Sequence, residues 1–348
     1  MPTPSPSRGG LRDRLASGPV ICAEGYLFEF ERRGYLQAGA FVPEVVLEHP
    51  DLVRDLHREF VHAGSDVVEA FTYYGHREKL RLIGKEELLE PLNRQALQIA
   101  SGVARESGTL LAGDICNTNV WGDDAESRLA VRAMFEEQVG WAAEAGVDFV
   151  IGETFQWVEE ALLACEVIRD AGLDAVITMS IHQDPLTREG LTPAEACKRL
   201  ADAGAVAVVL NCCRGPQTTL PLLAEIRAAV DVSVAALPVP YRTHAAEPTM
   251  QSLRDPQSPD GGRPFPTALD PFTCTRTDIT AFTREAAALG VDYLGLCCGA
   301  APHHIRAMAE ALGRTPPASR YSADMTKHAF FGTETSLQED NLAYSARL

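Results

Sequence analysis

The sequence contains no unbroken run of ~18 or more apolar residues, so no segment reads as a membrane-spanning helix. Met1 to Gly10 is rich in Pro, Ser and Gly and lacks the apolar stretch of a secretory signal, which points to the cytoplasm. Basic residues are in deficit: 31 Lys plus Arg stand against 48 Asp plus Glu, a formal net charge of -17. That balance excludes nucleic acid or an anionic membrane as the main partner. No Gly-rich phosphate fingerprint is found, which leaves a doubly wound nucleotide-binding sheet without support. Nor is there an additional segment of a size to hold folate or cobalamin. The nine cysteines are odd in number and lack the regular spacing of a small secreted scaffold, so reduced thiols or metal ligands are expected rather than disulfides.

What is present is an alternation of helical and strand patterns. The 348 residues suffice for one large α/β barrel or two ordinary domains. Strand patterns fall at 19–25, 66–74, 109–114, 147–155, 174–180, 205–213, 232–237 and 293–299, with helical periodicity at 11–17, 50–63, 86–106, 125–145, 158–171, 193–203, 221–229 and 277–289. Ala63-Gly64, Ala145-Gly146, Ala203-Gly204 and Leu289-Gly290 each close a helix just before a strand, as in a parallel sheet fed by helices. Eight such units predict a (β/α)8 TIM barrel. Reactive groups of that fold gather at the C-terminal ends of the strands. Glu24, Thr72, Tyr74, Asp114, Glu153, Asn211, Cys212, Cys297 and Cys298 all fall there. Residues 238–271, rich in Pro, Gly, Asp and Ser, predict a long loop over the barrel mouth that acts as a lid. The barrel is assigned to 1–313 and a C-terminal extension to 314–348. The extension reads either as a strap on its own barrel or as an arm to a neighbouring subunit of a homo-oligomer.

The strongest chemical signal is Tyr293-Leu294-Gly295-Leu296-Cys297-Cys298-Gly299, a buried strand delivering two thiols to its end. Adjacent side chains of a regular strand point to opposite faces, so both thiols reach one metal only where the strand breaks, and Gly299 permits the break. Cys212 closes another apolar run and supplies a third sulfur; its neighbour Cys213 is a competing choice. Three thiolates with an open fourth position are a catalytic zinc arrangement. The plain alternative is that these cysteines are small buried hydrophobes. Glu153 after Val150-Ile151-Gly152 reads as a site carboxylate or an ion-paired one, and at most one of Tyr73 and Tyr74 should face the mouth. His303 and His304 read as first-turn helix residues, not ligands.

Asn211-Cys212 and Gly295 to Gly299, with Glu31-Arg32-Arg33-Gly34-Tyr35, Glu48-His49-Pro50, Leu56-His57-Arg58-Glu59-Phe60, Ala63-Gly64-Ser65, Val158-Glu159-Glu160-Ala161 and His304-Ile305-Arg306-Ala307, resemble the zinc-dependent homocysteine S-methyltransferases, their betaine-dependent members above all. The resemblance runs from about residue 19 to about residue 312. It implies Zn2+ on Cys212, Cys297 and Cys298, homocysteine thiol as the fourth ligand, and methionine as product. It also implies that Glu153 holds the homocysteine ammonium and that Tyr74 lies near zinc and donor. Thr72 joins Tyr74 as a strand-end substrate-binding candidate. Three positions depart from the family pattern. Phe41 stands where the betaine enzymes have tryptophan, Thr154 where they have tyrosine, and Ala23-Glu24 where the family has Asp-Gly, with Glu24 a replacement for the aspartate at one residue's offset. The methyl donor is therefore open among onium compounds: glycine betaine, another betaine, S-methylmethionine or dimethylsulfoniopropionate. Two alternatives remain, the same zinc-thiolate chemistry on another thiol acceptor, and a zinc-binding barrel without catalysis.

Overall fold

The computed structural model describes residues 9–257 and 262–348. Residues 1–8, read above as a polar start, and 258–261 of the predicted mouth loop lie outside the described residues. Eight parallel strands close into a barrel in chain order: β1 Val20–Ala23, β2 Val67–Glu69, β3 Leu110–Cys116, β4 Phe149–Phe155, β5 Asp174–Met179, β6 Ala207–Asn211, β7 Ser233–Leu237 and β8 Tyr293–Leu296. The seam between β1 and β8 pairs Val20 with Tyr293 and Ala23 with Leu296. Eight helices cover the barrel: α1 Pro50–Ala63, α2 Leu89–Ser107, α3 Ala125–Ala145, α4 Val158–Asp170, α5 Pro193–Asp202, α6 Pro216–Ala229, α7 Arg276–Ala288 and α8 Pro302–Ala311. The (β/α)8 expectation holds. Among the described residues no helix is long and apolar enough to cross a membrane.

The period of two along each strand decides what faces the interior. Val20, Val67, Leu110, Phe149 and Tyr293 form a fully buried layer at the N-terminal end, closed from below by Leu11 on the short helix Leu11–Ser17. The same faces, two or four residues further on, carry Glu24, Glu69, Asp114, Glu153 and Cys297, and Asn211 lies four residues beyond the buried Ala207 of β6. The change from apolar to polar along the interior is the register that builds the site.

Two sequence expectations are corrected. The strand predicted over 66–74 stops at Glu69. Ala70 still donates to Ala112 O, but the Thr72 amide turns back to Ala70 O and Tyr74 takes φ 59°, so 71–74 bend out of the sheet. The helix expected from residue 221 begins at Pro216, with Pro221 inside it. Proline is favoured at the first turn of a helix, which makes Pro221 read as the start, but the helix here begins earlier, at Pro216, and accommodates Pro221 within it. Short helices at Tyr26–Arg32 and Arg77–Ile83 lie within βα connections that periodicity left unassigned.

The mouth loop is tied down rather than free where it is described. Met250, Leu253 and Leu269 are buried, Met250 N–H donates to Cys213 O, and Phe265 packs on Phe28 at 6.4 Å. The extension begins as a strap: the Arg314 guanidinium pairs with Asp66 at 2.6 Å, and Ser319 donates to Glu310 at 2.8 Å. Beyond it Tyr321, Met325, Phe331 and Tyr344 are exposed.

Candidate active site

The break at the end of β8 is built by backbone. Gly299 has φ 96°, and a Cβ there would lie 2.3 Å from the Tyr241 hydroxyl, so only glycine lets the chain turn under that ring. Arg32 donates to the Tyr241 oxygen at 2.7 Å and holds it in place. Cys297 N–H donates to Pro238 O at 3.0 Å, and Cys212 N–H to Leu237 O at 3.1 Å, so both cysteines hang from the end of β7. Cys212 and Cys213 both adopt left-handed backbone, with φ of 57° and 50°, a strained pair of the kind found at functional sites.

These constraints bring the sulfurs of Cys212, Cys297 and Cys298 within 4.8 Å of one another. The Cys297 and Cys298 sulfurs are 3.8 Å apart. Zn–S bonds of ~2.3 Å at tetrahedral angles separate sulfurs by ~3.8 Å, so the donor set fits such an ion in type and spacing. Hydrogen bonding to Cys213 and Cys297, and then burial, push the Cys212 thiol well above the ordinary range. Cys213 faces a different environment: Ser180 Oγ at 3.1 Å, Gln251 Nε2 at 3.4 Å and His182 Nε2 at 3.7 Å. His304 caps its own helix, accepting from Ala301 N–H at 3.2 Å, in keeping with a structural role.

Next to the thiols lies a small cavity whose lining includes Glu24, Tyr73, Glu153, Cys297 and Cys298. Ligand atoms of Glu24, Glu153 and Cys297 fall within 4.8 Å of one another, as do those of Glu69, Asp114 and Glu153. All four carboxylates are at most 5 % exposed. Glu153 accepts from Asn211 Nδ2 at 2.8 Å and from Thr154 Oγ1 at 3.3 Å. Among the described residues, both oxygens of Glu24, and one each of Glu69 and Asp114, have no hydrogen-bond partner. Burial lifts Glu153 to about 7. It also raises Glu24, Glu69 and Asp114 well above the ordinary carboxylate range, reinforced by repulsion from neighbouring carboxylates. No Lys or Arg lines the cavity among the described residues. Buried carboxylates without counter-charge are costly, which makes this cavity a candidate site for a cationic group.

The other sequence candidates sit around this centre. Thr154, at φ 64°, receives a hydrogen bond from Asn211 at 3.0 Å and so joins the Glu153 network. Thr72 donates to Asp114 O at 2.7 Å. Tyr74 packs on Tyr73 at 4.2 Å, and it is Tyr73 that lines the cavity. Phe41 packs on Phe28 at 5.9 Å, outside the cavity lining. Glu69 was missed by sequence reading. The alternation in Val67-Val68-Glu69 places it on the face of Val67, but that face is identified as the interior one only once the neighbouring strands are in place.

A parallel barrel that gathers three thiols and a carboxylate cage at its strand ends defines an enzyme of thiol chemistry with a metal-capable centre. Residues 25–312 match the family described as Homocysteine S-methyltransferase. Betaine--homocysteine S-methyltransferase 1 of Xenopus tropicalis is 37% identical over 343 residues, covering 95% of this chain and 81% of that protein. S-methylmethionine--homocysteine S-methyltransferase BHMT2 of Rattus norvegicus is 36% identical over 336 residues, covering 93% and 86%. The metallated form of the homocysteine methyltransferase MmuM from Escherichia coli superposes with a TM-score of 0.68 at 18% identity over 86% of this chain and 99% of that one, a likeness of fold. The chain belongs to the homocysteine S-methyltransferase family.

Proposed function

We propose that the protein moves a methyl group from an onium donor to the thiolate of homocysteine, giving methionine, at a zinc ion held by Cys212, Cys297 and Cys298. The observation that carries this is the three-sulfur cluster of Cys212, Cys297 and Cys298, two of whose members, Cys297 and Cys298, line one cavity with Glu24 and Glu153. A thiol at one end and an ammonium at the other are the two ends of homocysteine. Zinc on thiolates supplies a bound thiol in its deprotonated, electron-rich form. The chain's residues do the rest by position. Glu153, steadied by Asn211 and Thr154, takes the ammonium with Glu24 beside it. Thr72 braces the strand end, and Tyr73 and Tyr74 offer aromatic faces to a methyl-bearing cation, which cannot donate an ordinary hydrogen bond. Phe41 lies with Phe28 and the mouth-loop residue Phe265 in an aromatic group of its own. In-line transfer breaks the donor's C–N or C–S bond, and the departing amine or sulfide leaves with that electron pair; the mouth loop keeps water out.

The relatives name two donors, betaine and S-methylmethionine, at nearly equal identity, so the donor is left to experiment. Nine free cysteines, three of them ligands in this reading, suit the reducing cytoplasm. Residues 1–313 are taken as the catalytic barrel. The exposed Tyr321, Met325, Phe331 and Tyr344 support 314–348 as an oligomerisation arm. The surplus carboxylates Glu69 and Asp114 favour a second reading, an acceptor thiol with a further amino group. The test is methionine formation by zinc-loaded protein from homocysteine and each onium donor, with Cys298→Ala alongside and cysteamine or a diamino thiol as competing acceptors. Methionine from wild type and none from the variant supports the proposal. Methylation of the other thiols but not homocysteine supports the second reading.

A further inference from the structure

From the thiols outward, the chemistry of the mouth changes sign in order. Cys297 and Cys298 line the cavity together with Tyr73, Tyr73 packs on Tyr74 at 4.2 Å, and the Lys79 ammonium lies 3.8 Å from the centre of the Tyr74 ring. Lys79 belongs to the short helix Arg77–Ile83, where its neighbours are committed: Arg77 to Glu137 at 2.5 Å and Arg81 to Glu78 at 2.6 Å. Among the described residues no carboxylate pairs with Lys79. The arginines near the mouth are also engaged. Arg32 donates to Tyr241 and Gly299, and Arg214 to the carbonyls of Ile181, His182 and Gln183. Lys79 is thus a half-buried cation with its hydrogen-bond donors free, in a chain of net charge -17, at the edge of the aromatic wall. Desolvation by burial lowers its pKa, with the nearby Glu78 carboxylate acting the other way.

Resting on the methyl-transfer reading, we propose that Lys79 docks the anionic end of the methyl donor, so that the donors of this enzyme are zwitterions carrying a carboxylate beside the onium centre. Electron-rich sulfurs, an aromatic pair and then an ammonium complement a molecule that presents a methyl, a positive centre and a carboxylate in that order. With Lys79 on one face of Tyr74, the onium head is left the Tyr73 side of the wall, toward the sulfurs, because two cations do not share one ring face. The donor carboxylate then meets the ammonium, a charge-assisted pair. Lys79 acts on donor choice and takes no part in the transfer itself.

The test is steady-state kinetics of the zinc-loaded full chain, wild type, Lys79→Met and Lys79→Arg, with glycine betaine, S-methylmethionine and dimethylsulfoniopropionate against trimethylsulfonium, which has no carboxylate. Methionine keeps the stem's packing on the ring and removes only the charge. Lys79→Met is expected to raise KM for the carboxylate donors about tenfold or more, the scale of one lost charge-assisted hydrogen bond. KM for homocysteine and turnover of trimethylsulfonium should stay unchanged, and Lys79→Arg should recover most of the loss. Unchanged donor KM in Lys79→Met, or a rise in homocysteine KM instead, overturns the assignment. Wild type that makes no methionine from any donor sinks the methyl-transfer reading, and this inference with it.

Discussion

Glu153 is 5 % exposed, bonded to Asn211 at 2.8 Å, and raised to about 7 by burial. If it receives the acceptor ammonium, Glu153→Gln removes one partner of a buried charge pair. Homocysteine kcat/KM should fall roughly 100-fold or more while zinc content is unchanged. The pH dependence follows from the sign of the shift. A carboxyl with a folded pKa above its ordinary 4.5 favours the folded state when protonated, so its contribution is full below 4.5 and lost as pH rises to about 7. Substrate-free protein should therefore lose Tm between those values, in the same direction as Glu24, Glu69 and Asp114. The gain in Tm from homocysteine should grow across the same window, because its ammonium needs the carboxylate. Differential scanning fluorimetry with and without homocysteine reads both slopes. At this scale Cys297 and Cys298 were legible because two thiols before a glycine at a strand end have few other uses. Glu69 was not, because one acid within an apolar run says nothing of its side until the neighbouring strands are placed.

At the scale of elements, the turn after β8 depends on Gly299 passing beneath Tyr241. Gly299→Ala places a methyl 2.3 Å from the hydroxyl at φ 96°. A cost of ~2 kcal/mol or more is expected, with zinc affinity lost in parallel because Cys298 shifts. Denaturant midpoints and metal analysis check it. Helices such as Pro50–Ala63 and Ala125–Ala145 match their predicted limits, since amphipathic periodicity and glycine stops act locally. The ends of β2 and the start of α6 do not. The bend at 71–74 is enforced from β3 through the Thr72 bond to Asp114 O, and Pro221 is tolerated by the helix around it. Both are decisions of tertiary contact that outweigh local propensity.

At the scale of the whole molecule, the barrel has an apolar floor and a reactive mouth, and the two should separate experimentally. Leu11, fully buried as the floor's plug, should cost ~3 kcal/mol when replaced by alanine, with homocysteine KM unaltered. Removal of 323–348, beyond the Glu310–Ser322 strap, should leave the barrel folded and convert any oligomer to monomer in analytical ultracentrifugation. The central claim is that Cys212, Cys297 and Cys298 hold zinc with one position open for the acceptor thiol. X-ray absorption at the zinc edge, before and after homocysteine, tests it most directly. Three sulfurs at ~2.3 Å rising to four on addition is the expected result. Four protein sulfurs from the start, or no change in sulfur count with homocysteine bound, would contradict it.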